Sequence, residues 1–567
     1  MKHSNVAYQV MWNRLISVVE EQAQALVRTA FSTSVREAGD LSAGVYDLEG
    51  QMLAQAVTGT PGHVNAMADA VAHFIRRIGR QNIFEGDVYI TNDPWEGTGH
   101  LHDITMVTPS FYKKKLVGFF ACTAHIVDIG GRGFGADANS IYEEGLYLPI
   151  MKFAQRGEVD QTLLHIVRGN VREPDQLIGD IYALSTCNEI GHRRLIDMMQ
   201  EFDITDLNKI AEFILESSRK ATIESIAALP QKSADGELIV DGFDHPITLK
   251  VKISIHKDRI VSDFTGSSGL DKKGINCPLV YTKAYACYAL KVAIAPEIPN
   301  NAASLAPFEI IAPKNTIVNA VHPAPVALRH IIGHFVPDAV FNAFDKIVPS
   351  IVPAEGAGCL CNFQVSLRPA NNDFAKENTR RSEVLTFNSG GSGARPKYDG
   401  LNATAFPSGV MTLPIEATEH AGPVIIWRKE LRPDSGGNGQ QRGGLGQYME
   451  VGAQEGYEFD FQAMFDRVDH PAIGRRGGGP GASTLIARDD GSPMNGKGKQ
   501  FVAQGNKVVM AFPGGAGYGM AKDRSVDQVK RDLLRGYITL ETAIKYYDLS
   551  NSDILDVQNA IINGDDF

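Results

Sequence analysis

The residues best placed to do chemistry are His100, His102 and Asp103, in Gly99-His100-Leu101-His102-Asp103, and His125 and Asp128, in Ala124-His125-Ile126-Val127-Asp128. Between the two clusters lie two β-branched and aromatic runs, Ile104-Thr105-Met106-Val107 and Leu116-Val117-Gly118-Phe119-Phe120, joined by the polar link Tyr112-Lys113-Lys114-Lys115. That is the pattern of a β-hairpin. A turn centred between Tyr112 and Lys113 sets His100 opposite His125, at a Cβ separation of roughly 4.5–5.5 Å. Asp103 lies at the same end. Two imidazoles and a carboxylate converging on one spot make a three-ligand set for a divalent ion, with positions left open for water or substrate. Zn²⁺ and Mn²⁺ both suit such a set, and nothing in the residue types separates them. A lone loop histidine is more often held by a backbone hydrogen bond; two brought into register turn the reading toward metal.

Strand alternation leaves one choice open. In a fully extended segment His102 shares the face of His100, and Asp103 joins only if the chain bends where the loop enters the strand. Asp128, three residues past His125, reads either as a fourth ligand or as an acceptor that fixes an imidazole tautomer. Asp40 stands just before a strand in Gly39-Asp40-Leu41-Ser42, where an ordinary turn aspartate looks the same. His63, in Pro61-Gly62-His63-Val64-Asn65, is a pocket residue or a helix-start residue.

Other chemistries fare worse. The runs Gly436-Gly437-Asn438-Gly439, Gly477-Gly478-Gly479-Pro480-Gly481 and Gly514-Gly515-Ala516-Gly517 invite a phosphate-cradle reading. None follows a strand and opens a helix as a P-loop does, and Gly-Lys-Ser/Thr is absent, so tight turns and interface loops are the better expectation. No Gly-x-Ser-x-Gly elbow sits at a strand-to-helix turn. Cys122 and His125, three apart on a strand, face opposite sides. Cys359 and Cys361 share a strand face, where packing outweighs a soft-metal site.

The elements that must position these groups follow from periodicity. Met11, Leu15, Val19, Ala23 and Leu26 predict a helix over 6–30, and further helices are expected over 63–80 and through 175–230. Asp87–Thr91 is a short strand feeding the turn-rich loop into the hairpin. Strand-like runs at 237–241, 248–256 and 259–264 indicate antiparallel sheet, and glycine becomes dense from about Asn388. Helices are expected at about 526–546 and 553–562. The expected architecture is α+β, with mixed sheets and helices in several domains and a metal site at the end of a hairpin in the N-terminal half. The segments are a metal-binding region 1–230, a central α+β region 231–387, a Gly-rich β region 388–522, and C-terminal helices 523–567.

With 567 residues, 43% of them hydrophobic, the chain has ample core. A net charge of −11 argues against nucleic acid as a partner. No apolar leader and no membrane-length apolar run is seen, and none of the six cysteines forms a CxxC pair. A reduced, cytoplasmic protein is expected.

At these same residues the chain resembles the hydantoinase B/oxoprolinase family. The motifs are Arg36-Glu37 with Asp40-Leu41-Ser42, Pro61-Gly62-His63, Thr91-Asn92-Asp93-Pro94, His100-Leu101-His102-Asp103-Ile104-Thr105 and Ala124-His125 with Asp128-Ile129-Gly130-Gly131. Asp263-Phe264-Thr265-Gly266, Ile275-Asn276-Cys277-Pro278, Asn388-Ser389-Gly390-Gly391, Pro433-Asp434-Ser435-Gly436-Gly437 and Arg442-Gly443-Gly444 extend the likeness over most of the chain. The resemblance implies Asp40, His100, Asp103 and His125 as metal ligands. It thereby favours Asp103 over His102 and supplies the warrant for Asp40. It also implies an ATP-binding hydantoinase A-type partner in an (αβ)₂ heterotetramer. The implied reaction is ATP-dependent opening of a hydantoin, lactam or 5-oxoproline ring, with Asp128, His102 and His63 as proton-transfer groups. The same family includes ketone carboxylases; chain length favours the acetophenone-type branch over the acetone-type one. His102 stands where many relatives are expected to carry proline or a small residue.

Overall fold

The chain is described here from a computed structural model, over residues 4–58, 60–358, 360–370 and 381–563. Cys359, and with it the reading of Cys359 and Cys361 on one face, lies outside them. The chain forms two compact units. The first is Met1–Glu237, Leu249–Ala343 and Pro407–Ala417; the second is Leu238–Thr248, Phe344–Phe406 and Thr418–Phe567. Of the four segments read from composition, 1–230 falls in the first unit and 523–567 in the second, while the middle two are divided.

The first unit is built on a seven-stranded sheet. Its strands are β1 (Leu41–Tyr46), β2 (Met52–Gln55), β3 (Val88–Thr91), β4 (Asp103–Tyr112), β5 (Lys115–His125), β6 (Met151–Gln155) and β7 (Glu158–Val159). They lie in the order β2-β1-β5-β4-β3-β6-β7, and every neighbouring pair is antiparallel. Both faces are covered, which is why β4 and β5 read as apolar almost throughout. Ile104, Met106, Phe120, Cys122 and Ala124 belong to one core, under the Asn5–Thr29 and Pro174–Glu201 helices. Val107, Phe119 and Ala121 belong to the other, under the Pro61–Ile78 helix.

The Asn5–Thr29 helix starts where the Ser4 hydroxyl accepts Ala7 N–H, and it buries Met11, Leu15, Val18, Gln22 and Leu26 on one face. Gln22 is the polar member. Its amide donates to Asn188 Oδ1 at 2.9 Å and to the Ala121 carbonyl at 3.1 Å, joining both long helices to β5. On the opposite side Asn65 donates to the Ala284 carbonyl at 3.1 Å, docking the Pro61–Ile78 helix on the Leu279–Ile294 helix. A four-stranded sheet in the order β11-β10-β9-β8 follows, from β8 (Ser233–Val240), β9 (Ile247–Ile255), β10 (Ile260–Asp263) and β11 (Phe308–Ile311).

The second unit holds two more antiparallel sheets. One is β13 (Ser382–Thr386), β12 (Phe363–Pro369), β16 (Tyr457–Met464) and β18 (Lys497–Val502), in that order. The other is β14 (Val424–Leu431), β15 (Gln447–Ala453), β19 (Lys507–Ala511) and β17 (Leu485–Arg488). Of the glycine runs, the Gly477 stretch begins in an exposed tight turn (Gly477 φ +92°, Gly478 N–H to the Arg475 carbonyl at 2.9 Å), as expected, while much of the rest is buried. The runs hydrogen-bond to one another through their backbones: Gly437 N donates to the Gly515 carbonyl at 2.8 Å, Gly515 N to Gly444 at 2.9 Å, and Gly517 N to Gly479 at 2.9 Å. Residues 511–519 are buried throughout. A Cβ on Gly514 would stand 1.7 Å from the Ser435 carbonyl oxygen, so only glycine permits this approach. The expected C-terminal helix is broken into Val526–Leu534 and Leu540–Tyr546, and Asn551–Asn563 completes the set. No helix among the described residues is long and apolar enough to cross a membrane.

Gly514→Ala is therefore expected to destabilise the second unit by about 3 kcal/mol through overpacking. Gly169→Ala, at an open position in the Gln161–Asn170 helix with nothing within 4 Å of the new methyl, is expected to stabilise by about 0.5 kcal/mol. Urea unfolding followed by circular dichroism separates the two; equal effects would contradict the packing argument.

Candidate metal centre

Three adjacent strands end at one edge of the seven-stranded sheet, and their terminal residues form the site. β4 pairs with β5 from Asp103 opposite His125 to Tyr112 opposite Lys115. The turn is Lys113-Lys114, both in the left-handed region (φ 50° and 65°), and the register slips once between Ser110 and Phe111. A two-residue turn of that hand matches strand twist. The expected pairing is thus corrected: Asp103, not His100, faces His125. His100 lies in the turn before β4, where Gly99 (φ +102°) lets Arg329 approach; a Cβ there would be 2.5 Å from Arg329 Cδ.

His100 still reaches the hairpin end. Its Nδ1 lies 2.8 Å from the Ala327 carbonyl, and its Nε2 lies 2.7 Å from Asp103 Oδ1. His125 Nδ1 is 3.2 Å from the same oxygen. One nitrogen of each histidine and one Asp103 oxygen lie within 4.8 Å of one another, and all three residues are buried. Asp103, rather than His102, therefore shares the cluster with His100. His102 turns its Nδ1 to the Ile126 carbonyl at 3.0 Å and stacks on the His125 ring.

The protonation pattern is informative. A carbonyl accepts, so Nδ1 of His100 and of His102 must carry the proton. Burial first, then the Arg329 cation, pushes the His100 pKa well below its ordinary value; burial and His125 push His102 down to about 3. Both rings are thus neutral, with bare Nε2 atoms that are buried and make no hydrogen bond. His100 Nε2 then faces the Asp103 carboxylate as acceptor against acceptor, with no proton between them. A cation reconciles that pair. The donor set, two imidazoles and one carboxylate, is one that divalent ions accept.

Asp40 arrives through β1. Leu41 pairs with Ala124, and His125 N–H donates to the Asp40 carbonyl at 3.1 Å. The Asp40 carboxylate accepts the Thr60 hydroxyl at 2.8 Å and lies 3.5 Å from His63 Nδ1, outside the three-residue cluster. His63, in the first turn of the Pro61–Ile78 helix, puts its Nε2 2.9 Å from Asp103 Oδ2. It bridges the two carboxylates. Burial works to lower its pKa, but the charges of Asp103 and Asp40 prevail and raise it.

Asp128 has a different occupation. It accepts Gly130 N–H at 2.9 Å, the Arg172 guanidinium at 2.7 Å, and Glu173 N–H at 3.0 Å. Its carboxylate ties the loop after β5 to the start of the Pro174–Glu201 helix.

Four residues with no signal in sequence spacing complete the site. Arg329 is buried, pairs with Asp103 Oδ2, donates to the Thr98 carbonyl at 2.7 Å, and lies over the Tyr281 ring at 3.9 Å. Thr98 donates its hydroxyl to Asp103 Oδ2 at 2.9 Å. Burial opposes ionisation of Asp103, but the Arg329 cation, with His63 on the same oxygen, holds its pKa well below the usual carboxylate range. Glu144 accepts Val326 N–H at 2.5 Å and Ala327 N–H at 2.9 Å, securing the residue whose carbonyl orients His100. Burial pushes its pKa up to about 8. Phe134 touches His100, His102 and His125 through ring contacts.

The class is now defined: a mixed α+β chain, rich in antiparallel sheet, with a buried histidine–carboxylate cluster at a hairpin end. The sequence profile of the Hydantoinase B/oxoprolinase family matches residues 4–521, and the chain belongs to that family. It is 28% identical over 578 residues to the putative B-type subunit of a D-/L-hydantoinase from a Pseudomonas species, covering 97% of this chain and 95% of that protein. In fold it is similar to the ATP-dependent caprolactamase of Pseudomonas jessenii, with a TM-score of 0.84, 24% identity and 96% of each chain covered. It is also similar to nucleotide-free acetone carboxylase, with a TM-score of 0.85, 18% identity, and 99% of this chain and 83% of that one covered.

Two expectations follow. Arg329→Leu leaves Asp103 as an uncompensated buried charge, so stability should fall by about 3–5 kcal/mol; any Zn²⁺ affinity, read by competitive chelation, should fall about 10–100-fold. The second concerns pH. Burial, then neighbouring charge, pushes His330 well below its ordinary pKa and His334 to about 3. Unfolding lets both take up protons that the native state refuses, so their contribution is complete above about pH 6.5 and erodes below it. At pH 5 the loss reaches about 2 kcal/mol for His334, and His330 acts in the same direction. A metal-stripped sample whose melting temperature is flat between pH 7 and pH 5 would contradict this.

Proposed function

We propose that this chain is the metal-bearing component of an ATP-dependent cyclic-amide hydrolase that works with a separate ATP-binding subunit. The observation that carries the proposal is the buried His100–Asp103–His125 cluster, with His100 Nε2 2.7 Å from Asp103 Oδ1, within a Hydantoinase B chain. His100, Asp103 and His125 would hold Zn²⁺ or Mn²⁺, with Asp40 joining through a side-chain rotation or a water. A divalent ion held there supplies Lewis acidity to a substrate carbonyl.

The protein groups have separable duties. Arg329 and Thr98 fix the orientation of Asp103, and the Ala327 carbonyl fixes the tautomer of His100. His63, between Asp103 and Asp40, is the group placed to pass a proton between two carboxylates, and His102 offers a bare buried nitrogen. Asp128, bound on both oxygens, is assigned to holding its loop. ATP is assigned to the partner, because the glycine runs of this chain are packed on one another. The hydantoinase relative is itself one subunit of its enzyme, which supports a two-component assembly; we take it as (αβ)₂, in the cytoplasm.

A second reading, the corresponding component of an ATP-dependent acetophenone-type ketone carboxylase, draws support from the acetone carboxylase fold. One experiment separates them. The chain is co-purified with an A-type subunit and given ATP with hydantoin, 5-oxoproline or caprolactam, or with acetophenone and bicarbonate. Loss of a cyclic amide with matching ATP hydrolysis is expected, absent from the chain alone and reduced to background by His100→Ala. Ketone consumption instead would install the second reading. Full turnover in His100→Ala would leave the chain a scaffold.

A further inference from the structure

The cluster is closed off. His63, His100, Asp103 and His125 are only 1–3% exposed, so a ring-sized substrate reaches them only if a side chain gives way. We infer that Phe134 is that side chain, and that its bulk decides which carbonyl compounds meet the His100–Asp103–His125 set. The inference rests on the metal reading above.

Position is the first argument. The Phe134 ring centroid lies 4.7 Å from His102, 4.9 Å from His125, 5.8 Å from His100 and 5.6 Å from His330. It therefore occupies the space that four imidazoles share, and it is itself 2% exposed.

Cost is the second. The polar neighbours are tethered. His100 would forfeit the Ala327 carbonyl, His102 that of Ile126, and Arg329 both Asp103 and Thr98. Breaking any of these inside a dry site leaves an unsatisfied polar group. A phenyl ring carries no charge and no N–H or O–H, so moving it costs chiefly packing. An incoming flat ring restores that packing against the same imidazoles.

The backbone supplies the third. Phe134 lies in Gly133-Phe134-Gly135, beside the exposed Gly131 and Arg132. The loop is anchored before it by Asp128 on Arg172 and Glu173, and after it by Glu144 on Val326 and Ala327. Between these anchors the stretch is tied through its backbone: Gly135 N–H donates to the Gly133 carbonyl at 3.0 Å, and Gly274 N–H to the Ala136 carbonyl at 2.9 Å. The ring therefore gives way by rotating its side chain, while the ligand positions stay set. In place, the ring keeps water from the cluster; displaced, it yields the substrate's seat.

The test uses the full-length chain loaded with Co²⁺, whose visible spectrum reports the ion's surroundings. Dipicolinate stripping and acetohydroxamate titration are followed for wild type, Phe134→Ala, Phe134→Leu and Phe134→Trp. Stripping is expected to quicken about tenfold in Phe134→Ala, less in Phe134→Leu, and to slow in Phe134→Trp, with acetohydroxamate affinity following the same order. Phe134→Leu keeps most of the packing and guards against a folding defect in the alanine variant. Rates that ignore side-chain size, with Co²⁺ still bound, would overturn the gate and leave the metal reading intact. A wild type that takes up no Co²⁺ would overturn both.

Discussion

The Asp103 carboxylate is the buried charge around which the first unit is arranged. Removing a carboxylate from water is costly unless cations and donors surround it. Here they come from four separate segments: Thr98 from the turn before β4, His63 from a helix start, His125 from the end of β5, and Arg329 from a helix more than two hundred residues downstream. None of those segments can shift without exposing the charge to an incomplete shell. The carboxylate is thus both the chemical centre and the tie that keeps the sheet edge, the Pro61–Ile78 helix and the Arg329–Gly333 helix together.

A second layer of ties acts on the groups that hold the shell. Glu144 secures the Val326-Ala327 peptides, Ala327 secures His100, and Asp128 secures the loop that carries Phe134. The polar parts of the site are fixed twice over, while its apolar cover is held by ring packing. That contrast is what a site needs when it must keep its donors rigid and still admit a ring. The second unit follows a different principle. Its glycine segments meet backbone to backbone where side chains have no room, so its order comes from peptide hydrogen bonds.

Much of this is legible in the residues alone. The hairpin, the long helices and the antiparallel sheets follow from periodicity, because both faces of the first sheet are buried and their apolar residues say so. The two histidines and Asp103 are legible as a cluster because a hairpin brings its own ends together whatever its register. The register itself differs from the expected one by three residues, since two consecutive lysines in left-handed backbone and a slip at Ser110/Phe111 leave no compositional mark. The buried glycine runs look like turns because a glycine that makes room for a neighbour is the same in sequence as one that bends the chain.

Asp40, Arg329, Glu144 and Phe134 lie on the other side of that line. Asp40 reaches the edge only because β1 pairs with β5, a contact between strands separated by some seventy residues. Arg329, at the start of the Arg329–Gly333 helix, and Glu144 come from segments that no local pattern connects to the hairpin. The family resemblance points to Asp40 but not to its distance from the cluster, nor to His63 lying between the two carboxylates. By itself the sequence determined which local segments form strands and helices and which residue types can bind a cation, because periodicity and side-chain chemistry are local properties. Which of those residues share one buried volume, and in which protonation state, was decided only by the tertiary structure, because strand order, burial and charge neighbours are set by contacts between distant segments.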